Sequence, residues 1–408
     1  MTWLRNPAHA RWLERESDEL LSFGAGAMVP EGFGHLDRAG QVDESQGTPL
    51  WLTCRMVHSY SLGVLLGRPG ASTMVDHGLN ALAEHFRDEV NGGWFSAVGP
   101  QPATYKEAYG HAFVILAGAS AAAAARPGGY ELLSEALEIS ERHFWRPDEG
   151  MVCETWDRDF TTSEAYRGVN ANMHTVEAYL TAADVTGEEV WLERAAQITE
   201  RVVDDFARAH SWRIPEHFDT DWNPVLDYNA DTPAHPFRPA GATIGHWLEW
   251  SRLVLQVRAA LKARGHRDPE WMVAAARELF DAAVREGWAV DGAPGFIYTV
   301  DFEGRPLVRE RMHWVVAEAL AAAAALSRVE LDAELDQWYQ TWWEYAANHL
   351  IDEEYGSWVH ELDPTNEPSA TVWAGKPDIY HALQATLMPR LPLTPMFAPA
   401  LAESLLDD

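Results

Sequence analysis

Residues 238–252, RPAGATIGHWLEWSR, set an imidazole and a carboxylate three positions apart where a loop gives way to a helical pattern. Pro239 and Gly241 belong to the loop, and the pattern is helical from His246. His246 and Glu249 then share one helix face, flanked by Trp247 and Trp250. A His and a carboxylate at the start of a helix, among indoles, fit an acid/base site in an aromatic pocket. They also fit a core histidine satisfied by a glutamate. The rest of the chain has to decide between the two.

Five other stretches carry polar faces of the same kind. In LWLTCRMVHSYSLG, Arg55, His58 and Ser61 are three apart, with Trp51 one turn before Arg55. Such residues are costly to bury unless they meet each other or a ligand. Tyr109 and His111 precede a strongly apolar run, and Asn170, His174 and Glu177 follow the i, i+4, i+7 rule of one helix face. Amide and imidazole groups in that order suit recognition of a polyhydroxyl compound. His313, Trp314 and Glu318 lie in RERMHWVVAEAL. Lys376, Asp378, His381 and Gln384 surround Pro377, which is expected in the first turn of a helix. Any one of these histidines alone reads as a core residue. Their recurrence on successive helices favours a shared site.

Two rival chemistries use the same residue types. His174-x-x-Glu177 and His246-x-x-Glu249 reverse the Glu-x-x-His order of helical-bundle metal sites. The chain has no HExxH motif and no cysteine cluster. Paired carboxylates of a glycoside hydrolase stay open, because Asp and Glu number 62. Phosphate-loop, dinucleotide and nucleophile-elbow motifs are missing.

The elements that must position these residues repeat along the chain. Turn-rich aromatic segments begin near Phe33, Gly93, Gly150, Trp212, Gly295 and Gly356, at steps of 60, 57, 62, 83 and 61 residues. The long step contains the Pro- and Asp-rich loop 220–242. Between the turns lie pairs of helical patterns, rich in Ala and Leu. They cover 8–23, 48–66, 71–86, 103–125, 130–144, 169–183, 190–207, 244–261, 269–286, 311–326, 332–349 and 376–387. Short strand-like pieces such as GFIYTVDF sit in the turns as hairpins. Six helix pairs closing on themselves give an all-α (α/α)6 barrel with short β-hairpins in its loops. An open solenoid shares the local pattern, but polar residues on alternate helices and a count that stops at six favour closure. Without a linker or low-complexity segment, residues 1–408 read as one domain.

Bulk composition narrows the partners. The formal charge is −31, which disfavours nucleic acid and anionic membrane. Cys54 and Cys153 cannot build a disulfide framework. The polar N-terminal stretch has no apolar signal core, so a soluble cytoplasmic protein is expected. Nineteen tryptophans provide indole faces that match the apolar face of a pyranose.

LWLTCRMVHSYSLG, HGLNAL with the following GGWF, KEAYGHAF, NMHTVEAYL, GHWLEW and KPDIYHALQATLMPRLP, in this order, resemble the N-acylglucosamine 2-epimerase superfamily from about Leu50 to Pro392. The last segment is most similar to its aldose–ketose isomerase branch, which acts on mannose or sulfoquinovose. The resemblance implies an (α/α)6 barrel that works without metal or other cofactor. It places the catalytic histidines on His246 and His381. Sugar-binding positions fall on Arg55, Tyr109, Asn170, His174, Arg238, Glu249 and Trp314, and Asp378 joins them beside His381. The expected reaction interconverts D-mannose and D-fructose through a cis-enediol, with Glu249 fixing the His246 tautomer. Mannose 2-epimerisation and sulfoquinovose isomerisation are the alternatives within this chemistry. A carbohydrate hydrolase or a sugar-binding barrel is the alternative outside it. The expected partner is a monosaccharide, and the protein a monomer or weak homo-oligomer.

Overall fold

A computed structural model describes residues 2–406. Its helices in chain order are α1 (Pro7–Gly24), α2 (Leu50–Leu65), α3 (Ala71–Ala81), α4 (Ala108–Ala123), α5 (Gly129–Ile139), α6 (Val169–Thr186) and α7 (Glu189–Thr199). They continue with α8 (Ile244–Ala263), α9 (Trp271–Gly287), α10 (His313–Leu326), α11 (Ala333–Tyr345), α12 (Tyr380–Leu387) and the short α13 (Phe397–Ala402). The even helices α2 to α12 pack in sequence, and α12 returns to α2. The odd helices α3 to α11 pack outside them, with α1 against α12 and α2. The result is an (α/α)6 barrel.

Sequence explains which helix goes where. α4 (AYGHAFVILAGASAAA) and α10 (HWVVAEALAAAAAL) are apolar around nearly their whole circumference and buried on all sides. The outer α1 and α9 bury one stripe and expose charges on the other.

Two-residue strands link the N-terminal ends of the inner helices. Thr48–Pro49 pairs with Ala97–Val98, Lys106–Glu107 with Thr155–Trp156, and Arg167–Gly168 with His217–Phe218. Ala242–Thr243 pairs with Thr299–Val300, and Arg311–Met312 with Glu361–Leu362. In each pair the first strand runs directly into an inner helix. The sixth step is made by the Lys376 N–H, which donates to the Leu36 carbonyl at 2.9 Å and joins the last turn to the first. Every inner helix therefore starts at the same end of the barrel, and its first turns face one cavity.

Several boundaries differ from the sequence pattern. The expected helices ending at 86, 144, 207 and 349 finish as π-helical turns, at Leu82–Phe86, Ser140–Phe144, Glu200–Ala207 and Ala346–Leu350. Apolar periodicity does not distinguish the wider turn. The last inner helix starts at Tyr380, not at 376. Pro377 therefore precedes the helix, and the Asp378 carboxylate accepts the Tyr380 N–H at 2.9 Å. No helix among the described residues is long and apolar enough to cross a membrane.

Candidate active site

All six inner helices contribute to one cavity at their N-terminal ends. α2 supplies Arg55, α4 Tyr109, α6 Asn170 and His174, α8 His246 and Glu249, α10 His313 and Trp314, and α12 His381. Asp378 enters from the segment before α12. These polar groups share the wall with Trp51, Phe237, Tyr298 and Trp373.

His246 and His381 flank Trp314, with ring centroids 5.3 Å and 5.6 Å from the indole. Each imidazole is tied to a carboxylate through Nδ1. His246 Nδ1 meets Glu216 Oε1 at 3.0 Å, and His381 Nδ1 meets Glu318 Oε1 at 3.0 Å. An Nδ1–H donated to a carboxylate leaves Nε2 with its lone pair free. Both rings border the cavity, so these two Nε2 atoms are the groups available for proton transfer. Burial, then the Arg55 charge, lowers the His381 pKa well below the ordinary histidine value and keeps the ring neutral.

The carboxylate expected to orient His246 does something else. Glu249 is turned toward α6 and toward Arg252, whose Nη2 lies 3.2 Å from Glu249 Oε1. Glu216, from the hairpin before loop 220–242, takes the orienting place. Burial raises the Glu249 pKa well above the carboxylate range, and nearby Glu318 and Glu177 add to the effect.

Arg252 is fully buried beneath the cavity and holds its floor together. Its Nε donates to Glu318 Oε2 at 2.5 Å, and its Nη1 to Gln256 at 3.2 Å. Glu177 Oε1 lies 3.8 Å from Nη2 and also accepts from Gln384 Nε2 at 3.0 Å. Burial opposes the Glu177 charge, yet His174 and Arg252 hold its pKa below the usual range. Donor atoms of His174, Glu177 and Glu249 come within 4.8 Å of one another, a grouping with the size of a metal site. The donor set fits an ion poorly, because Arg252 already places positive charge on two of its members.

Arg55 is the cation in the wall itself. It donates to Asp378 at 3.0 Å and to the Tyr109 hydroxyl at 3.0 Å. Burial opposes its charge, but Tyr109, Asp378 and Tyr380 outweigh that and keep it a guanidinium. Tyr109 is pushed up to about 12, mainly by burial, and stays a neutral hydroxyl donor. His174, lowered to about 4 chiefly by burial, is neutral. Asp378 was expected at a sugar-binding position beside His381, three residues before it. It instead pairs with Arg55, because the helix starts two residues after it.

Four other residues singled out in the sequence stand apart from the cavity. Arg238, expected at a sugar-binding position, does not line it. Its guanidinium lies over Tyr166 and donates to both oxygens of Glu164, at 2.6 and 2.8 Å. His58 bonds Ser120 below the cavity, at 2.7 Å. His111 bonds the Glu107 carbonyl and accepts the Trp94 N–H, so it supports a hairpin. Lys376 turns away to Asp352 and the Gly356 carbonyl, at 2.7 Å each. Sequence reasoning missed Glu216 and left Glu318 without a role. Glu318 had a signal, one turn from Trp314 on α10. Glu216 lies in IPEHF, and no periodicity marks it.

The sequence pattern of the N-acylglucosamine 2-epimerase (GlcNAc 2-epimerase) family matches residues 32–385. The chain is 50% identical over 405 residues to a D-mannose isomerase of Thermobifida fusca, covering 98% of each chain. It is 46% identical over 402 residues to a D-mannose isomerase of Pseudomonas cannabina pv. alisalensis, covering 98% of this chain and 97% of the relative. A crystal structure of a D-mannose isomerase superposes with a TM-score of 0.85 at 28% identity, over 93% of this chain and 97% of that one. The geometry and the sequence relationships agree, and the chain belongs to the N-acylglucosamine 2-epimerase family.

Proposed function

We propose that the protein is a D-mannose isomerase, interconverting D-mannose and D-fructose by proton transfer through a cis-enediol. The observation that carries the reading is the pair of cavity-facing histidines, each anchored through Nδ1 and separated by Trp314. High identity to two D-mannose isomerases over nearly the whole chain supports the substrate.

The reaction needs a base at carbon and a second group for the oxygens. The open-chain aldose has a weakly acidic C2–H. Nε2 of one histidine removes that proton, giving the cis-enediol as its enediolate, with the negative charge on O1. The first histidine returns its proton to C1. Nε2 of the second takes the O2 proton and passes it to O1, leaving O2 as the ketose carbonyl. Protons balance, and both rings end as they began. Arg55 and the Tyr109 hydroxyl supply fixed positive potential for the charge that develops on oxygen. Asn170 and Glu249 offer hydrogen bonds to the sugar hydroxyls, and the surrounding aromatic rings exclude water. Return of the proton to the other face of C2 would give the 2-epimer instead.

His246→Ala and His381→Ala test the reading. Each is expected to lower kcat for mannose by roughly 10²–10⁴-fold with an unchanged circular dichroism spectrum. Near-full activity in either folded variant would contradict a two-histidine mechanism.

A further inference from the structure

The mouth of the cavity is bounded by a segment that one buried carboxylate holds in place. Glu361 is 1% exposed and lies in Glu361–Leu362, whose partner strand Arg311–Met312 leads directly into α10. Its two oxygens accept four hydrogen bonds from a single stretch of loop. Oε1 accepts from the Ser369 hydroxyl at 2.5 Å and the Thr371 N–H at 2.6 Å. Oε2 accepts from the Val372 N–H at 2.8 Å and the Trp373 N–H at 2.6 Å. Three successive amides aimed at one carboxylate make a nest, and bonds to an ionised acceptor are the strong ones.

The side chain fixed by this nest is Trp373. Its indole meets Phe237 at 5.0 Å and Trp51 at 6.2 Å, and Phe237 meets Trp51 at 6.0 Å. The three rings come from three separate places: the first turn of α2, loop 220–242 and the segment before α12. Phe237 and Trp373 are part-exposed, whereas Arg55, Glu249 and His381 are buried. The aromatic triad therefore stands at the mouth, on the solvent side of the reacting groups. Gly375 secures the far side of Trp373. With φ +71° it packs so closely that a Cβ would lie 2.2 Å from the Leu36 carbonyl oxygen.

We propose that Glu361 is a positioning residue that sets substrate length, holding Trp373 across the mouth so that the cavity takes one sugar ring and excludes a second. This rests on the monosaccharide reading above. Carbons 1 and 2 must reach His246 and His381, so a ring linked at O4 would project toward the mouth and meet Trp373. Glu361 touches no reacting atom and acts through the loop.

The test compares D-mannose with 4-O-β-D-mannopyranosyl-D-mannose as substrates for wild type, Glu361→Gln and Trp373→Ala. Wild type should turn over mannose and discriminate strongly against the disaccharide. If it fails on mannose, the functional reading falls, whatever the variants do. Trp373→Ala should raise the disaccharide-to-mannose ratio of kcat/KM at least about tenfold. Glu361→Gln should shift the ratio the same way, with its loss on mannose appearing in KM more than in kcat. Glu361→Asp, which keeps the charge, should restore part of the wild-type ratio. If Glu361→Gln does not fold, Thr371→Pro deletes one of the nest's N–H donors on an exposed residue and should give the same shift. A ratio unchanged in Trp373→Ala, or a Glu361→Gln variant with equal kcat loss on both sugars, overturns the proposal.

Discussion

At the scale of the residue, the site depends on which carboxylate each histidine meets. Sequence spacing pairs His246 with Glu249 and Asp378 with His381, since each pair is three apart. The folded chain chooses partners from other elements: Glu216 for His246, Glu318 for His381 and Arg55 for Asp378. Spacing reports which residues can share a face, but not which way a side chain turns once neighbours supply better partners. The cavity residues themselves were legible, because burying Arg, His and Asn on apolar helices is costly without a purpose. Glu216 was not, because it lies just before the two-residue strand His217–Phe218, where no period marks it. Its role yields a prediction. Glu216→Gln keeps the shape but removes the charge that stabilises the imidazolium formed during proton transfer. We expect kcat to fall by about 10- to 100-fold with KM little changed. Wild-type kinetics in the Gln variant would show that Glu216 is a bystander.

At the scale of the element, twelve helical patterns in the sequence became the twelve barrel helices. The pattern carried them because each helix buries a stripe or its whole surface. Their ends moved for local reasons. α4 and α10 start after short strands, and α12 starts late because its preceding segment is held by Leu36 and Arg55. One contact between elements is tight enough to test. α8 approaches α10 at Gly245, where a Cβ would lie 2.2 Å from Trp314 Cζ3. Trp314 is the ring between the two histidines. Gly245→Ala should therefore displace it, costing about 1–3 kcal/mol of stability and about 10²-fold in kcat/KM. Thermal unfolding and steady-state kinetics on the same preparation read both. An alanine variant of native stability and activity would mean that the indole is not fixed by α8.

At the scale of the whole molecule, closure of the barrel was readable from six turn segments and from polar faces on alternate helices. The strand staples that align the inner helices were visible only as aromatic turns, since their partners lie roughly fifty to sixty residues away. Closure also buries many neutral histidines. Burial lowers His58, His174 and His313 to about 4 and His111 to about 3. In the unfolded chain these rings bind protons near pH 6.5. Between about 6.5 and 4 the unfolded state therefore takes up protons that the folded state refuses, and stability falls as pH falls. Glu154, raised to about 8, Asp184, raised to about 6, and Glu16, Asp18, Glu107 and Glu249, each raised chiefly by burial, act in the opposite sense. But burial also lowers His9, His35, His217, His360 and His381, and the histidines outnumber them. Urea midpoints at pH 6.5, 5.5 and 4.5 should decrease in that order, as the unfolding free energy falls by on the order of several kcal/mol in total. A flat profile would show that the histidines are not buried as neutral rings.

The most direct test of the central claim is the isotope content of the product. Mannose is incubated with the protein in D₂O and followed by proton NMR. A histidine that takes the C2 proton and returns one to C1 exchanges with solvent, so the account predicts fructose carrying deuterium at C1. Fructose formed without deuterium, or an unchanged mannose spectrum, would contradict it.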